Sequence, residues 1–166
     1  MAQGAHFALT DEQRVKLLNL KSDEERIDYV TEDIEEDWDK EYAQETDKAW
    51  DAIHRCLTEQ PPNTPELDAD CGEYPLKVCI FGGRPLIPNE AGTIRLIEAN
   101  EVSDLAQALD PITKEWFAEK YSTHCKGAWP EYGKEDFGYT WDWFCKLRDF
   151  FRRAATAQRA VIFTVF

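Results

Sequence analysis

The period of apolar residues changes several times along the chain, and each change marks an element. Residues 6–9, His-Phe-Ala-Leu, form a short apolar stretch that predicts a first strand. Thr10 then opens a helix. Thr10 with Gln13, and again Ser22 with Glu25, have the spacing of a capping box, in which two side chains reciprocally satisfy backbone N–H groups left free at a helix start. Two helices follow, meeting near residues 20–22. Along the second, Ile27, Val30, Ile34, Trp38 and, at its far end, Tyr42 recur every three or four residues and predict one buried face.

The stretch DKAWDAIHRCL predicts another helix, with Trp50, Ile53, His54 and Leu57 on one side. The Pro, Gly and Asp content of EQPPNTPELDADCGEYP marks an ordered surface loop, too short for a domain linker. Strands are expected at 76–81 and 93–98, joined through GGRPLIPNEAG. Helix resumes near Ser103 with Leu105, Ala106 and Leu109 and breaks at Asp110-Pro111, where Asp fits a cap and Pro the first helical position. Ile112, Trp116 and Phe117 carry the next helical piece, and STHCKGAWPEYGKEDFG reads as a loop. A last helix over about 137–157 has two apolar stripes, Trp141, Phe144 and Phe151 on one and Trp143, Leu147, Phe150 and Ala154 on the other, which predicts a central position. RAVIFTVF is a nearly continuous apolar run, the pattern of an internal strand. The sum is an α+β fold: a single domain, residues 1–166, with about four strands in a mostly antiparallel or mixed sheet and five to six helices packed on it.

Composition agrees with one core. A chain of 166 residues with 43% hydrophobic and 13% aromatic content is too apolar for disorder, and by area scaling it buries roughly two-thirds of its unfolded surface. Charge narrows the partners. With 19 basic against 33 acidic residues the formal net charge is −14, a field that repels nucleic-acid phosphates and anionic headgroups and favours encounter with basic proteins. Neither nucleic acid nor membrane is therefore an expected partner. No stretch approaches the ~18 apolar residues of a membrane span and the first ten residues lack a leader pattern, so a cytoplasmic location is expected. Cys56, Cys71, Cys79, Cys125 and Cys145 are odd in number and contain no CxxC, which predicts free thiols and no zinc site. No cofactor is expected.

The acid run EDIEEDWDKEY places Glu32, Asp33, Glu35, Glu36, Asp37, Asp39 and Glu41, seven carboxylates, against Lys40 alone, and Glu45 follows. Repulsion opposes helix by a few tenths of a kcal/mol per close pair, whereas burying one aliphatic side chain contributes about 1.5–3 kcal/mol. The run is thus the outer side of a core helix. Functionally it is a docking face in which carboxylates steer and bind Arg and Lys of a partner; plainly read, it is a solvated face. Helix spacing lacks the fixed ligand order and turn glycine of a calcium loop, so no metal is assigned.

Other candidates carry plain readings as well. Asp51 and His54 lie three apart on one helix, close enough for the carboxylate to orient a general-base imidazole; the plain reading is a half-buried His bonded to a carbonyl. Gly82 and Gly83 with Arg84 offer an anion turn, but lack the P-loop lysine and dinucleotide spacing, so a structural turn or bulge is the simpler reading. His124-Cys125, adjacent in sequence, have side chains that diverge and lack a third orienting group. Trp129 and Tyr132 in WPEYG are loop aromatics of the kind that anchor interfaces.

GAHFALTDEQ, AWDAIHRCLT, LKVCIFGGRPL, IRLIEANEVSDLAQAL and YTWDWFCKLRDFFRRAATAQRAVIFTVF, taken in order, resemble the YfbM-like family of small bacterial proteins, a domain of unknown function. Trp50, Asp51, His54 and Leu57 followed by Gly82-Gly83 carry most of the likeness. The resemblance implies one α+β domain of bacterial origin with no established activity, and it carries over no catalytic residues. The leading functional expectation is a non-catalytic cytosolic binding protein, such as an immunity or antitoxin-like inhibitor, docking its acid face on a cognate toxin or other basic protein. The alternative is a small-molecule or protein-modifying enzyme with His54 as base, Asp51 as its orienter and the Gly82-Gly83 turn holding an anion.

Overall fold

The closing apolar run is the middle of the sheet. The computed structural model describes residues 2–128 and 136–166, and in it β5 (Ala160–Val165) pairs antiparallel with β1 (Gly4–Leu9) on one side and β4 (Thr93–Ile97) on the other. β2 (Ala43–Asp47) adds to β1 and the two-residue β3 (Arg84–Pro85) to β4, giving the order β2-β1-β5-β4-β3. Five strands thus replace the four expected. Ala-Gln-Glu-Thr-Asp in β2 carries almost no apolar signal because it is an edge strand with few side chains to bury. Residues 76–81 do not form a strand: Leu76–Cys79 is a 3₁₀ turn.

Six helices cover both faces of this sheet: α1 (Asp11–Asn19), α2 (Asp23–Asp28, continued by a π-helical segment), α3 (Trp50–Thr58), α4 (Ala99–Leu109), α5 (Lys114–His124) and α6 (Asp136–Thr156). The register pairs Phe7 with Ile162 and Ile162 with Leu96, one face, and His6 with Phe163 and Ala8 with Val161, the other. The first face packs against Leu17, Tyr29, Val30 and Ile34 of α1 and α2. The second packs against α3, α4 and α6 through Ile53, Leu105, Phe150 and Phe151. Alternation along β1 and β5 therefore divides the interior into two cores.

Both predicted capping boxes form, Thr10 with Gln13 and Ser22 with Glu25. The chain does turn at Asp110-Pro111, but α5 is capped by Thr113, whose hydroxyl accepts from the Trp116 N–H at 3.1 Å. Asp110 instead continues the last turn of α4. The central helix is α3 rather than α6: every residue from Asp51 to Thr58 is buried, whereas Asp142, Lys146 and Asp149 of α6 face solvent. The polar residues of α3 hid its depth from a pattern reading, because they are satisfied by a loop that folds over them.

Candidate functional site

The acid run begins inside a helix that changes its winding. After Asp28 the ladder widens into a π-helical segment, Tyr29–Glu35, and the Thr31 hydroxyl donates to the carbonyls of Ile27 and Asp28 where the register shifts. Tyr29, Val30 and Ile34 are buried as a core stripe. Trp38 is not. The helix has ended by then, and Trp38 takes a left-handed φ of 27°, so the face predicted from α-helical spacing does not reach it. Its ring is 37% exposed and meets Phe7 edge-on at 5.4 Å. A positive φ at a bulky residue is an unfavourable conformation that surrounding contacts must hold. Here the turn at Asp39 to Tyr42 carries the chain back into β2.

Glu32, Asp33, Glu36, Asp37, Asp39, Glu41 and Glu45 are all exposed, and Glu35 is half-buried. Among the described residues none of these carboxylates is in an ion pair. The ion pairs lie elsewhere: Arg14 with Glu98, Arg26 with Asp23, Arg55 with Asp51, Lys120 with Glu59, and Arg152 with Asp110 and Asp149.

Where the π-helical segment ends, a pocket of about 200 Å³ opens over the end of the sheet. Its floor is a cross-strand row, Glu45 of β2, Ala5 of β1 and Thr164 of β5. Glu35 and Trp38 stand over that floor and the Phe166 ring, 46% exposed, adds another wall. Small Ala5 leaves the space that a larger side chain would fill. Thr164 donates to Glu35 Oε1 at 3.2 Å. Burial raises the pKa of Glu35, and the Thr164 hydrogen bond works against that rise. A neighbouring pocket of about 140 Å³, lined by Phe7, Ile34, Asp37, Asp39 and Tyr42, contains a cation of the chain's own. The guanidinium of Arg159 lies 3.5 Å over the Tyr42 ring and donates to the Ala8 carbonyl.

The second candidate, around His54, is internal. Its imidazole is 1% exposed and Nε2 donates to the Asp68 carbonyl at 2.9 Å. Burial depresses its pKa, opposed mainly by that carbonyl. The Asp51 carboxylate, the orienter in the alternative reading, accepts from Arg55 Nε at 2.7 Å. Arg55, also 1% exposed, donates onward to the carbonyls of Thr64 and Pro65. An Asp and Arg four apart within an apolar helix was the available sequence signal for this bond. The group staples the loop after α3 to the core. His124 Nδ1 adds a bond to the Gln60 carbonyl, while Cys125 points inward to Cys56, Sγ to Sγ 3.9 Å. All five cysteines are free.

The ring of Phe81, next to Gly82 in the chain, is 5.5 Å from the His54 imidazole. The Gly82 N–H already donates to the Lys77 carbonyl at 2.9 Å. A Cβ there would stand 2.4 Å from that oxygen, and one on Gly83 would stand 2.9 Å from the Leu96 oxygen. The pair therefore serves close backbone approach. Arg84 is exposed in β3. Trp129 and Tyr132 lie outside the described residues. Glu35 was legible as an acid, but nothing in the sequence signalled that Thr164 and Phe166 would join it.

Fold and site together define a class: a small α+β domain with an antiparallel sheet cored on both faces and an acid-rimmed pocket at one end. The chain belongs to the family described as a domain of unknown function, DUF1877, whose profile matches residues 2–164. It is similar in structure to YfbM from Escherichia coli, a protein of unknown function, with a TM-score of 0.70 at 16% identity over 99% of both chains. Comparison with curated proteins gave no match. Among the described residues no helix is long and apolar enough to cross a membrane.

Proposed function

We propose that this is a cytoplasmic binding protein that docks its acidic face on a basic protein. The face runs from Glu32 along the end of α2, through the Trp38 turn, to Glu45 on the edge strand β2. The observation that carries the reading is the contrast in pairing. Seven exposed carboxylates of this run have no cationic partner among the described residues, while Arg14, Lys120 and Arg152 are engaged with acids elsewhere. Such carboxylates steer a cationic partner and form charge-assisted hydrogen bonds when it arrives. A basic toxin, with this chain as its immunity protein, is one member of that partner class, and a bacterial source would suit it. An enzyme built on His54 has less support, because the imidazole is covered and Asp51 is engaged with Arg55.

The test is capture of partners by the tagged protein from host extract at low and raised salt, repeated with Glu32, Glu36, Asp37 and Asp39 replaced by their amides. A stoichiometric basic partner that weakens with salt and is lost with the four substitutions is the expected result. A partner held equally by both proteins would overturn the docking role of this face.

A further inference from the structure

We infer that the pocket under Trp38 receives the guanidinium of an arginine side chain presented by that basic protein. The inference rests on the docking reading and specifies its anchor. Carboxylates alone would not define a site. This pocket has aromatic walls, Trp38 and Phe166, both left substantially exposed, and a polar floor where Glu45 and Thr164 flank Ala5. Its volume of about 200 Å³ is several times the ~30 Å³ share of one water molecule. Apolar walls and acidic groups at one concavity suit a flat, weakly hydrated cation: an aromatic face attracts it through the ring quadrupole, and a carboxylate takes its N–H fork. Lysine, a compact and strongly hydrated charge, uses the walls less well.

The molecule already contains the arrangement once. In the neighbouring pocket Arg159 stacks on Tyr42 in a cavity that Asp37 and Asp39 also line. The Trp38 pocket repeats an aromatic wall with two acids, Glu35 and Glu45, but among the described residues no Lys or Arg lines it. The side chain that completes it is, on this reading, the partner's.

Binding of labelled hexa-arginine and hexa-lysine peptides, equal in charge, is to be measured at low salt by fluorescence anisotropy. Wild type is expected to favour hexa-arginine by about fivefold or more, because stacking and the bidentate fork are available to arginine alone. Trp38→Ala and Glu45→Gln should each weaken hexa-arginine about tenfold, and Trp38→Phe should keep most of the affinity. The paired change Glu32→Gln with Glu36→Gln, outside the pocket, should weaken both peptides about two- to threefold. Glu45 is exposed on the edge strand, so its amide variant remains informative if Trp38→Ala fails to fold. No binding by wild type, equal affinity for the two peptides, or indifference to Trp38→Ala and Glu45→Gln would overturn the pocket. If in the last case the Glu32 and Glu36 change still weakens binding, the docking face stands without this anchor. If both sets of variants bind like wild type, the peptide evidence counts against both.

Discussion

Helix α3 and the end of α2 both carry carboxylates beside core residues, and the chain handles them in opposite ways. In α3 the Asp51 charge is inside, so it is held by Arg55, and Arg55 in turn is spent on two loop carbonyls. At the end of α2 the charges, the half-buried Glu35 apart, are outside, and none is in an ion pair among the described residues. The difference follows from dielectric. A buried ion without a partner costs several kcal/mol, whereas an exposed one is solvated and adds little to stability. The first arrangement builds the fold, and the second leaves charge free for another molecule.

Removing one member of the buried pair should have the largest effect. Arg55→Ala leaves Asp51 in the core with its principal cation gone and cuts the hydrogen bonds to Thr64 and Pro65, so we expect a loss of about 3–5 kcal/mol in urea unfolding. Replacing both partners together, Arg55→Met with Asp51→Leu, should recover part of that loss. If the double variant is as unstable as Arg55→Ala, the cost lies in the untethered loop rather than in the orphaned charge. Limited proteolysis at residues 60–72 would separate the two.

Acid sensitivity is the next test, and it belongs to the same interior. His6 is completely buried, donates from Nε2 to the Cys79 carbonyl at 2.8 Å and has no hydrogen-bond partner at Nδ1 among the described residues. Burial lowers its pKa to about 4, against a partial rise from the Cys79 carbonyl. The unfolded chain takes up a proton near pH 6.5 and the folded chain only near 4. Stability is therefore complete above about pH 6.5 and falls through that window, by up to roughly 3 kcal/mol for this group. His54, shifted the same way by burial, adds to the fall. His6→Gln, which keeps an amide N–H for Cys79, should flatten the pH profile of unfolding between 6.5 and 4. An unchanged slope would assign the acid sensitivity to other groups.

The sequence was most informative where one physical rule acted alone. The capping boxes and β1, β4 and β5 formed as read, because local hydrogen bonding or continuous apolar character decides them. Trp38 and α3 were misread for the same reason: periodicity assumes an unbroken α-helix with water opposite the apolar side. The π-helical segment and a positive φ broke the first assumption at Trp38. The loop from Gln60 to Asp68 broke the second by covering the polar side of α3. The pocket was illegible because Glu35, Glu45, Thr164 and Phe166 come from three parts of the chain and meet only through the sheet register.

The smallest stability effects are predicted at the acid run itself, where they discriminate most sharply between fold and function. Glu32→Gln with Asp33→Asn and Glu36→Gln should shift stability by no more than about 0.5 kcal/mol, toward greater stability, because repulsion along the helix is relieved and no ion pair is lost. Glu35→Gln should behave likewise, with a distinct pH signature. Its raised pKa means that folding favours the protonated acid, so the group supports the fold at low pH and opposes it as pH rises through that pKa. The amide should be slightly more stable than wild type at pH 7, by well under about 1 kcal/mol after solvent screening, and indistinguishable near pH 4. The same variant should bind hexa-arginine less well at pH 7. Gain of stability with loss of binding would identify Glu35 as a carboxylate kept against the interest of the fold; loss of both would make it a structural acceptor for Thr164.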